Sequence, residues 1–394
     1  MPLPSVTPWI LGLAYAAVVA VAIRRSRAFG VFAGIIMSIP TYVAVSLSSV
    51  IPGGAVLALG HLLGCLHFGA LVLRPAMRPT WFRLGVSVPG LWFVAASLLA
   101  LPWAAAASLG FEPWGAWLPF IAAAFGTVES LWTREETVTV DLSVPAEPAL
   151  ARHRAGVAKG QGRPLTIVQI TDPHLGPFMS VERLQGICRR AVERNPDLIL
   201  ITGDLMTMES HDTAVVTEAL SPLAAMPGRV FACHGNHDHE ARRVVADAFA
   251  AHGITLLDDD ATTVQTDGGL VQIVGLDFVF RGRDVQIPEV LARHPRTPGA
   301  ARIVLLHDPG GFKHVPQGDA DLVLSGHTHG GQLGLVSLGL QSTFLSWFTK
   351  IPDHGLWAMG RNRLYVHRAQ GHYGYPIRLG VPAEQSLLEV YGLR

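Results

Sequence analysis

Near-continuous apolar runs cover residues 5–23, 29–50, 54–73, 85–109 and 115–132, whereas the chain beyond them alternates short apolar runs with polar turns. A membrane-crossing helix takes roughly 20 apolar residues. The second, third and fourth runs reach that length. The first is slightly shorter but uncharged, and the fifth is the weakest because it is short and contains Glu129. Of the chain's 60 charged residues, residues 1–132 hold only eight, six Arg and two Glu. So many weakly charged runs in succession predict a transmembrane region of four to five helices at 1–132 rather than buried core helices. A cleaved signal peptide is disfavoured, since no basic residue precedes the first run and further apolar runs follow it.

Basic residues cluster at Arg24, Arg25 and Arg27 and again at Arg74, Arg78 and Arg83, two spans apart and hence on one side. The positive-inside rule makes that side cytoplasmic and puts the N-terminus outside. If the fifth run spans, the remainder of the chain is cytoplasmic, which is the expectation. If that run lies in the interface, the remainder is outside. Trp9, Trp81, Trp103, Trp114, Trp117 and Trp132 near span ends fit an aromatic belt. Glu129, His61 and His67 read as interfacial or helix-pairing positions, the alternative being functional polar groups within the membrane. No internal repeat supports a transporter built of inverted halves.

Residues 133–163 read as a connector, with an edge strand over 136–144 and then a loop. From there the pattern predicts strands at 165–171, 197–202, 230–233, 254–258, 264–276, 303–307, 322–325, 363–366 and 386–390, with helices at 181–193, 213–225 and 241–251. Strand–helix alternation of this kind implies an α/β sheet domain over 164–394 with helices outside.

Composition sharpens this division. The 394 residues have mean hydropathy +0.35 with 15% charged, too apolar for a disordered or wholly soluble chain. A net charge of zero gives no basic field for nucleic acid, so none is expected as a partner. Three scattered cysteines make neither a disulfide framework nor a C-x-x-C metal site, and Cys188 and Cys233 read as small apolar fillers. Of 17 histidines, 15 follow residue 132.

Five predicted strands end in polar clusters: Thr171-Asp172-Pro173-His174, Gly203-Asp204, His234-Gly235-Asn236-His237-Asp238, His307-Asp308-Pro309 and Gly326-His327-Thr328-His329. The carboxyl ends of strands form the ligand crevice of open α/β sheets. Carboxylate, amide and imidazole donors suit Mn, Fe or Zn. In D-x-H and H-x-H on extended chain, both side chains fall on one side. Glycines at 203, 235 and 326 are expected to turn the backbone sharply. Two metals held by some seven such ligands can clamp the attacking and leaving oxygens of phosphoryl transfer.

In this order, D-x-H, G-D, G-N-H-D, H and G-H-x-H resemble the calcineurin-like metallophosphoesterase superfamily, from about Leu165 to the C-terminus. The stretch SGHTHGGQ at Ser325–Gln332 and the ending Tyr365–Pro382 are similar to its branch of bacterial membrane phosphoesterases with N-terminal transmembrane helices. The resemblance implies a four-layer αββα sandwich with a binuclear centre. It implies one divalent ion on Asp172, His174 and His329, a second on Asn236, His307 and His327, and Asp204 bridging them, with Mn favoured. It also implies that His237 donates to the phosphoryl or leaving oxygen and that Asp238 orients His237. Two departures concern the substrate: His234 stands where an apolar residue is more usual, and Ala369-Gln370-Gly371-His372 where Gly-rich sequence is. His234, His239 and His372 either contact phosphate or lie at the surface.

The expected function is a multi-pass enzyme of the bacterial inner membrane hydrolysing a phosphoric ester or anhydride. Its substrate would be a phosphorylated small molecule or a lipid-linked one met at the bilayer. UDP-2,3-diacylglucosamine hydrolysis in lipid A synthesis is the leading candidate. The alternatives are a tethered nucleotide or cyclic-nucleotide phosphodiesterase and a non-catalytic membrane sensor. The apolar segment 333–359, with Phe344, Leu345, Trp347 and Phe348, either fills the core of the second sheet or forms an apolar lip at the site mouth.

Overall fold

A computed structural model describes residues 6–153, 162–207, 209–372 and 376–392. Part of the predicted connector, residues 154–161, lies outside the described residues, as do residues 373–375 of the ending. The chain forms two compact units.

The first unit holds residues 1–131 together with a short segment at 374–379. Among the described residues, four helices are long and apolar enough to cross a membrane: Thr7–Arg25, Arg27–Leu47, Ala55–Leu73 and an apolar stretch Thr80–Ser108 containing a π turn at Arg83–Ser87. The fifth apolar run gives a helix of only 14 residues, Leu118–Leu131. Small residues set one helix crossing, where Gly90 lies against the backbone of Leu63 and Gly64 and Gly60 against Phe93. The intramembrane histidines pair helices: His61 Nε2 meets Thr41 Oγ1 at 2.9 Å, and His67 Nδ1 meets Ser87 Oγ at 3.0 Å. Segment 376–379 docks on helix Leu118–Leu131, where Thr127 Oγ1 donates to Pro376 O and the Arg378 N–H to Gly126 O.

The second unit is an α/β domain of two sheets. One sheet runs β1 (Thr133–Asp141), β13 (Ala383–Tyr391), β3 (Leu165–Ile170), β4 (Leu198–Ile201), β5 (Val230–Ala232), β6 (Thr255–Leu256). The other runs β2 (Ala151–Arg152), β11 (Gly355–Met359), β12 (Asn362–Val366), β10 (Leu322–Ser325), β9 (Ala301–Leu306), β8 (Gly269–Leu276), β7 (Asp260–Thr266). Strands β3 to β6 are parallel, as are β8, β9, β10 and β12. Alternate residues of both sheets meet in one core, with Ile167, Leu198 and Leu200 in the same cluster as Ile303, Leu322 and Leu324. The residues between them face outward. Val274, Val304 and Val323 pack against Ile287, Val290 and Leu291 of helix Arg283–Arg293. On the other sheet Val168, Ile170, Ile199 and Ile201 are equally buried. The helices alongside, Val181–Glu193, Thr213–Leu220 and Arg242–Ala250, carry buried apolar residues such as Ile187, Val216 and Val245. This is the four-layer αββα sandwich.

Several elements differ from the pattern reading. The predicted strand 264–276 is a hairpin, because Asp267 and Gly268 turn the chain between β7 and β8. Helix Arg283–Arg293 and strand β11 were not anticipated. The helix carries Pro288 in its interior, and β11 sits at the end of a long apolar segment that masks its period.

Candidate metal centre

Three neighbouring parallel strands, β3, β4 and β5, deliver Asp172 and His174, Asp204, and Asn236 from their carboxyl ends. Strands β9 and β10 of the other sheet deliver His307, His327 and His329. The two sheets are stitched together beneath the cluster. Gln169 Nε2 donates to Ser325 O at 3.0 Å, and His307 Nδ1 donates to Thr202 O at 2.7 Å.

Five of these residues hold left-handed backbone: Asp172, His174, Asp204, His327 and His329, with φ between 49° and 67°. Such conformations cost energy in non-glycine residues and concentrate at functional sites. Of the three glycines expected to turn the chain, only Gly203 has positive φ. Gly235 and Gly326 are needed for close approach instead. A Cβ at Gly326 would lie 2.1 Å from Asp172 Oδ2, and one at Gly235 would lie 2.2 Å from Asp204 Oδ1.

The donor atoms converge on two points. His174 Nε2 and His329 Nε2 stand 3.2 Å apart, with Asp172 Oδ1 3.9 Å from the first and 3.3 Å from the second. His307 Nε2 lies 3.2 Å from each of Asn236 Oδ1, His327 Nδ1 and Asp204 Oδ2. The same Asp204 oxygen is 3.7 Å from His174 Nε2, so it sits between the two groups.

The tautomers decide what this arrangement can hold. His174 Nδ1 faces Met206 O at 3.0 Å, His307 Nδ1 faces Thr202 O, and His329 Nδ1 faces Gly371 O at 3.4 Å. A carbonyl only accepts, so each Nδ1 carries the proton and each neutral ring turns a bare Nε2 lone pair inward. Buried lone pairs aimed at each other and at carboxylates need cations between them. Without metal, a proton serves: burial would lower the pKa of His307, but Asp204 and Asp172 outweigh it and lift it to about 10. Burial drives His174 the other way, down to about 3, despite Asp204. The two groups together form a site able to hold two divalent ions.

The calcineurin-like phosphoesterase profile matches residues 165–331, which contain every one of these donors. The chain is 31% identical over 246 residues to phosphodiesterase YaeI of Escherichia coli K12, covering 61% of this chain and 87% of that protein. It is 30% identical to the uncharacterized metallophosphoesterase YkuE of Bacillus subtilis over 54% of this chain and 74% of that one. It is also 28% identical to a transmembrane protein with metallophosphoesterase domain from Danio rerio, over 56% of this chain and 52% of that protein. The chain belongs to the calcineurin-like metallophosphoesterases. It is a metal-dependent phosphoester hydrolase carrying its own apolar helices.

The remaining predicted residues of the phosphoesterase site fall around the donors. His237 stacks edge-on to His174 with ring centroids 5.3 Å apart, and its Nδ1 meets Glu240 Oε1 at 3.3 Å. Burial opposes protonation of His237, but Glu240 and Asp204 prevail and raise its pKa above the ordinary value. The carboxylate of Asp238 engages the backbone of two loops. Its Oδ2 accepts from the N–H groups of Asp204 and Gly235 at 2.8 Å each, and its Oδ1 from those of Leu205 and Met206 at 2.9 and 3.2 Å. It therefore fixes the loop that carries Asp204, and Glu240 supplies the ring contact to His237.

Neither His234 nor His372 is a surface residue. His234 Nδ1 pairs with Asp258 Oδ1 at 2.9 Å, and His239 Nε2 with Asp277 Oδ1 at 2.7 Å. Arg242 joins both carboxylates, so Asp258 and Asp277 are engaged with a cation of the chain itself. The His372 ring lies beside Phe178.

Sequence reasoning missed two supports of the site. Asp308 Oδ2 stands 3.7 Å from His327 Nε2 and is held by Arg283 Nη1 at 2.7 Å. Asp308 was visible beside a strand-end His, whereas Arg283 lies in the unanticipated helix. A cleft of about 380 Å³ opens over the donors. Its walls include His174, Asp204, His237 and His327 together with Phe344, Leu345 and Ile351. Phe344, Leu345, Trp347 and Phe348 therefore do not fill the core of the second sheet: Phe344, Trp347 and Phe348 are exposed, and only the β11 end of the segment, with Leu356 and Ala358, is buried.

Proposed function

We propose that this membrane-anchored enzyme hydrolyses a phosphodiester borne by a lipid. The observation that carries the reading is that apolar Phe344, Leu345 and Ile351 line the same cleft as the metal-binding donors. That YaeI is named a phosphodiesterase supports the diester class. Asp172, His174 and His329 would hold one ion and Asn236, His307 and His327 the other, with Asp204 shared between the two groups. Two divalent ions in such a site activate water and neutralise phosphoryl charge. The nitrogen and oxygen donors suit Mn, Fe or Zn, with Mn preferred. His237, whose proton Glu240 and Asp204 favour, donates it to the leaving oxygen. Phe344, Leu345 and Ile351 take the acyl portion.

The same structure bears on topology. A helix of 14 residues rises about 21 Å, short of the roughly 30 Å hydrocarbon core. Four crossings, with the Arg24–Arg27 and Arg74–Arg83 loops in the cytoplasm, favour a catalytic unit on the outer face of the cell membrane. The cytoplasmic expectation required the fifth run to span. A lipid diester reached from the outer face then fits better than UDP-2,3-diacylglucosamine, a nucleotide-linked lipid.

Detergent-purified protein, chelated and reloaded with Mn²⁺, tests this on a small soluble phosphodiester, a lipid phosphodiester, UDP-2,3-diacylglucosamine, a cyclic nucleotide and a phosphomonoester. Both simple diesters should turn over, the lipid one at lower KM. Phe344→Ser with Ile351→Ser should raise KM for the lipid diester alone. Equal losses on the soluble and lipid diesters would remove the acyl role, and a dominant monoesterase or nucleotide activity would end the proposal.

A further inference from the structure

The apolar wall of the cleft has an outer side. Residues 333–351 contain no carboxylate and one cation, Lys350. They fold into a single projection. The Leu335 N–H donates to Ser342 O at 2.8 Å, the Phe344 N–H to Leu333 O at 2.7 Å, and Trp347 Nε1 to Ser342 Oγ at 2.6 Å. This sets the loop 335–342 beside the short helix Phe344–Phe348. The base of the projection is pinned. Thr343 Oγ1, which caps that helix, also donates to Asp353 Oδ2 at 2.5 Å, while Thr328 Oγ1, between His327 and His329, donates to Asp353 O at 2.7 Å.

On this fixed base, the side chains divide. Phe344, Leu345 and Ile351 line the cleft. Leu338, Trp347 and Phe348 do not line it, yet they are 75%, 58% and 72% exposed, and Leu340 is exposed with them. Four large apolar side chains on one projection form a surface that water disfavours.

We propose that Leu338, Leu340, Trp347 and Phe348 insert into the leaflet of the membrane in which this chain is anchored, so that the metal cleft opens at the lipid interface. Three observations select a bilayer as the occupant. The chain carries four membrane-length apolar helices of its own. Only Trp132 separates helix Leu118–Leu131 from β1, so the catalytic unit stays tethered at the membrane. The projection combines aromatic and aliphatic tips with Lys350 and no acid, the composition of an interfacial anchor on an anionic leaflet. The inference rests on the reading of the chain as membrane-anchored and not on the nature of the substrate.

The three native cysteines are buried, so single introduced cysteines can be labelled selectively. The full chain, carrying Phe348→Cys, Leu338→Cys or the exposed control Asp267→Cys, is labelled with an environment-sensitive fluorophore. It is then reconstituted in phosphatidylcholine–phosphatidylglycerol vesicles with and without brominated acyl chains. Probes at 338 and 348 should shift to the blue and lose most of their emission to brominated lipid while resisting aqueous iodide; the probe at 267 should do the reverse. Iodide quenching at 338 and 348 would overturn the proposal. So would protection from both quenchers, which would mark a protein-covered surface. No substrate is involved, so this result stands or falls apart from the activity assays.

Discussion

Asp238→Asn separates two roles for one buried carboxylate. An amide keeps one oxygen, so one pair of N–H groups, either Asp204 with Gly235 or Leu205 with Met206, must face an NH₂ group. Each lost bond to a charged acceptor is worth about 1.5–3 kcal/mol, giving roughly 3–6 kcal/mol for the pair. For a domain of this size that corresponds to a fall of about 10–20 °C in apparent Tm. The loop that moves carries Asp204, whose Oδ2 lies 3.2 Å from His307 Nε2 and 3.7 Å from His174 Nε2, so metal content should fall along with stability. The assay is thermal unfolding of purified protein followed by fluorescence, with bound Mn²⁺ measured on the same sample. If Tm and metal content stay at wild-type levels while kcat falls and the acid limb of the pH profile shifts, Asp238 acts on His237 and the loop-fixing argument is wrong.

Other perturbations probe separate parts of the site. Asp204→Asn removes a charge shared by both donor groups and should cut kcat by orders of magnitude, with bound metal below two ions per chain; full occupancy would refute its bridging place. His237→Ala should lower kcat about 10²–10⁴-fold on a substrate with a poor leaving group while two ions stay bound; an emptied site would make His237 a structural residue. Gly326→Ala pushes a methyl into Asp172 Oδ2 and should abolish binding at the Asp172–His174–His329 group, which metal titration by calorimetry would show. Asp267→Cys should react with a membrane-impermeant thiol reagent in intact cells. Protection there, with labelling after lysis, would return the catalytic unit to the cytoplasm.

The donor set was legible because each donor directly follows a short apolar strand, and strand ends are easy to read. Asp172, Asp204, Asn236, His307 and His327 all sit one to four residues beyond β3, β4, β5, β9 and β10. What the pattern could not supply was direction. Asp238 reads as an acid beside His237, but its carboxylate turns back to four N–H groups in two loops, because those groups are buried and need an acceptor. Glu240 follows one turn later and reaches the His237 ring instead. Segment 333–359 resisted reading because an apolar run has the same composition whether it becomes strand β11 or a projecting helix. The hairpin at Asp267–Gly268 was hidden for a related reason: two strands of like alternation read as one when the turn is only two residues long.

The strained backbone and the convergent lone pairs are two sides of one device. Left-handed conformation at five non-glycine donors costs of the order of 1 kcal/mol or more at each, a sizeable fraction of a domain's whole stability. Local hydrogen bonds offset part of it: Thr171 Oγ1 donates to Asp172 Oδ2 at 2.6 Å, and the His327 N–H donates to both Asp172 oxygens. They also fix Asp172 so that Oδ1 faces His329 Nε2 rather than solvent. The conformation thus aims imidazole nitrogen at carboxylate oxygen before any ion arrives, and only a cation relieves the repulsion among the donors. In its absence His307 takes a proton, so loading the second group displaces that proton and metal affinity must rise with pH through the range where His307 titrates. Burial favours the neutral ring of His174, whereas Asp204 and Asp172 favour a proton on His307, so a proton competes with an ion more strongly at His307 than at His174.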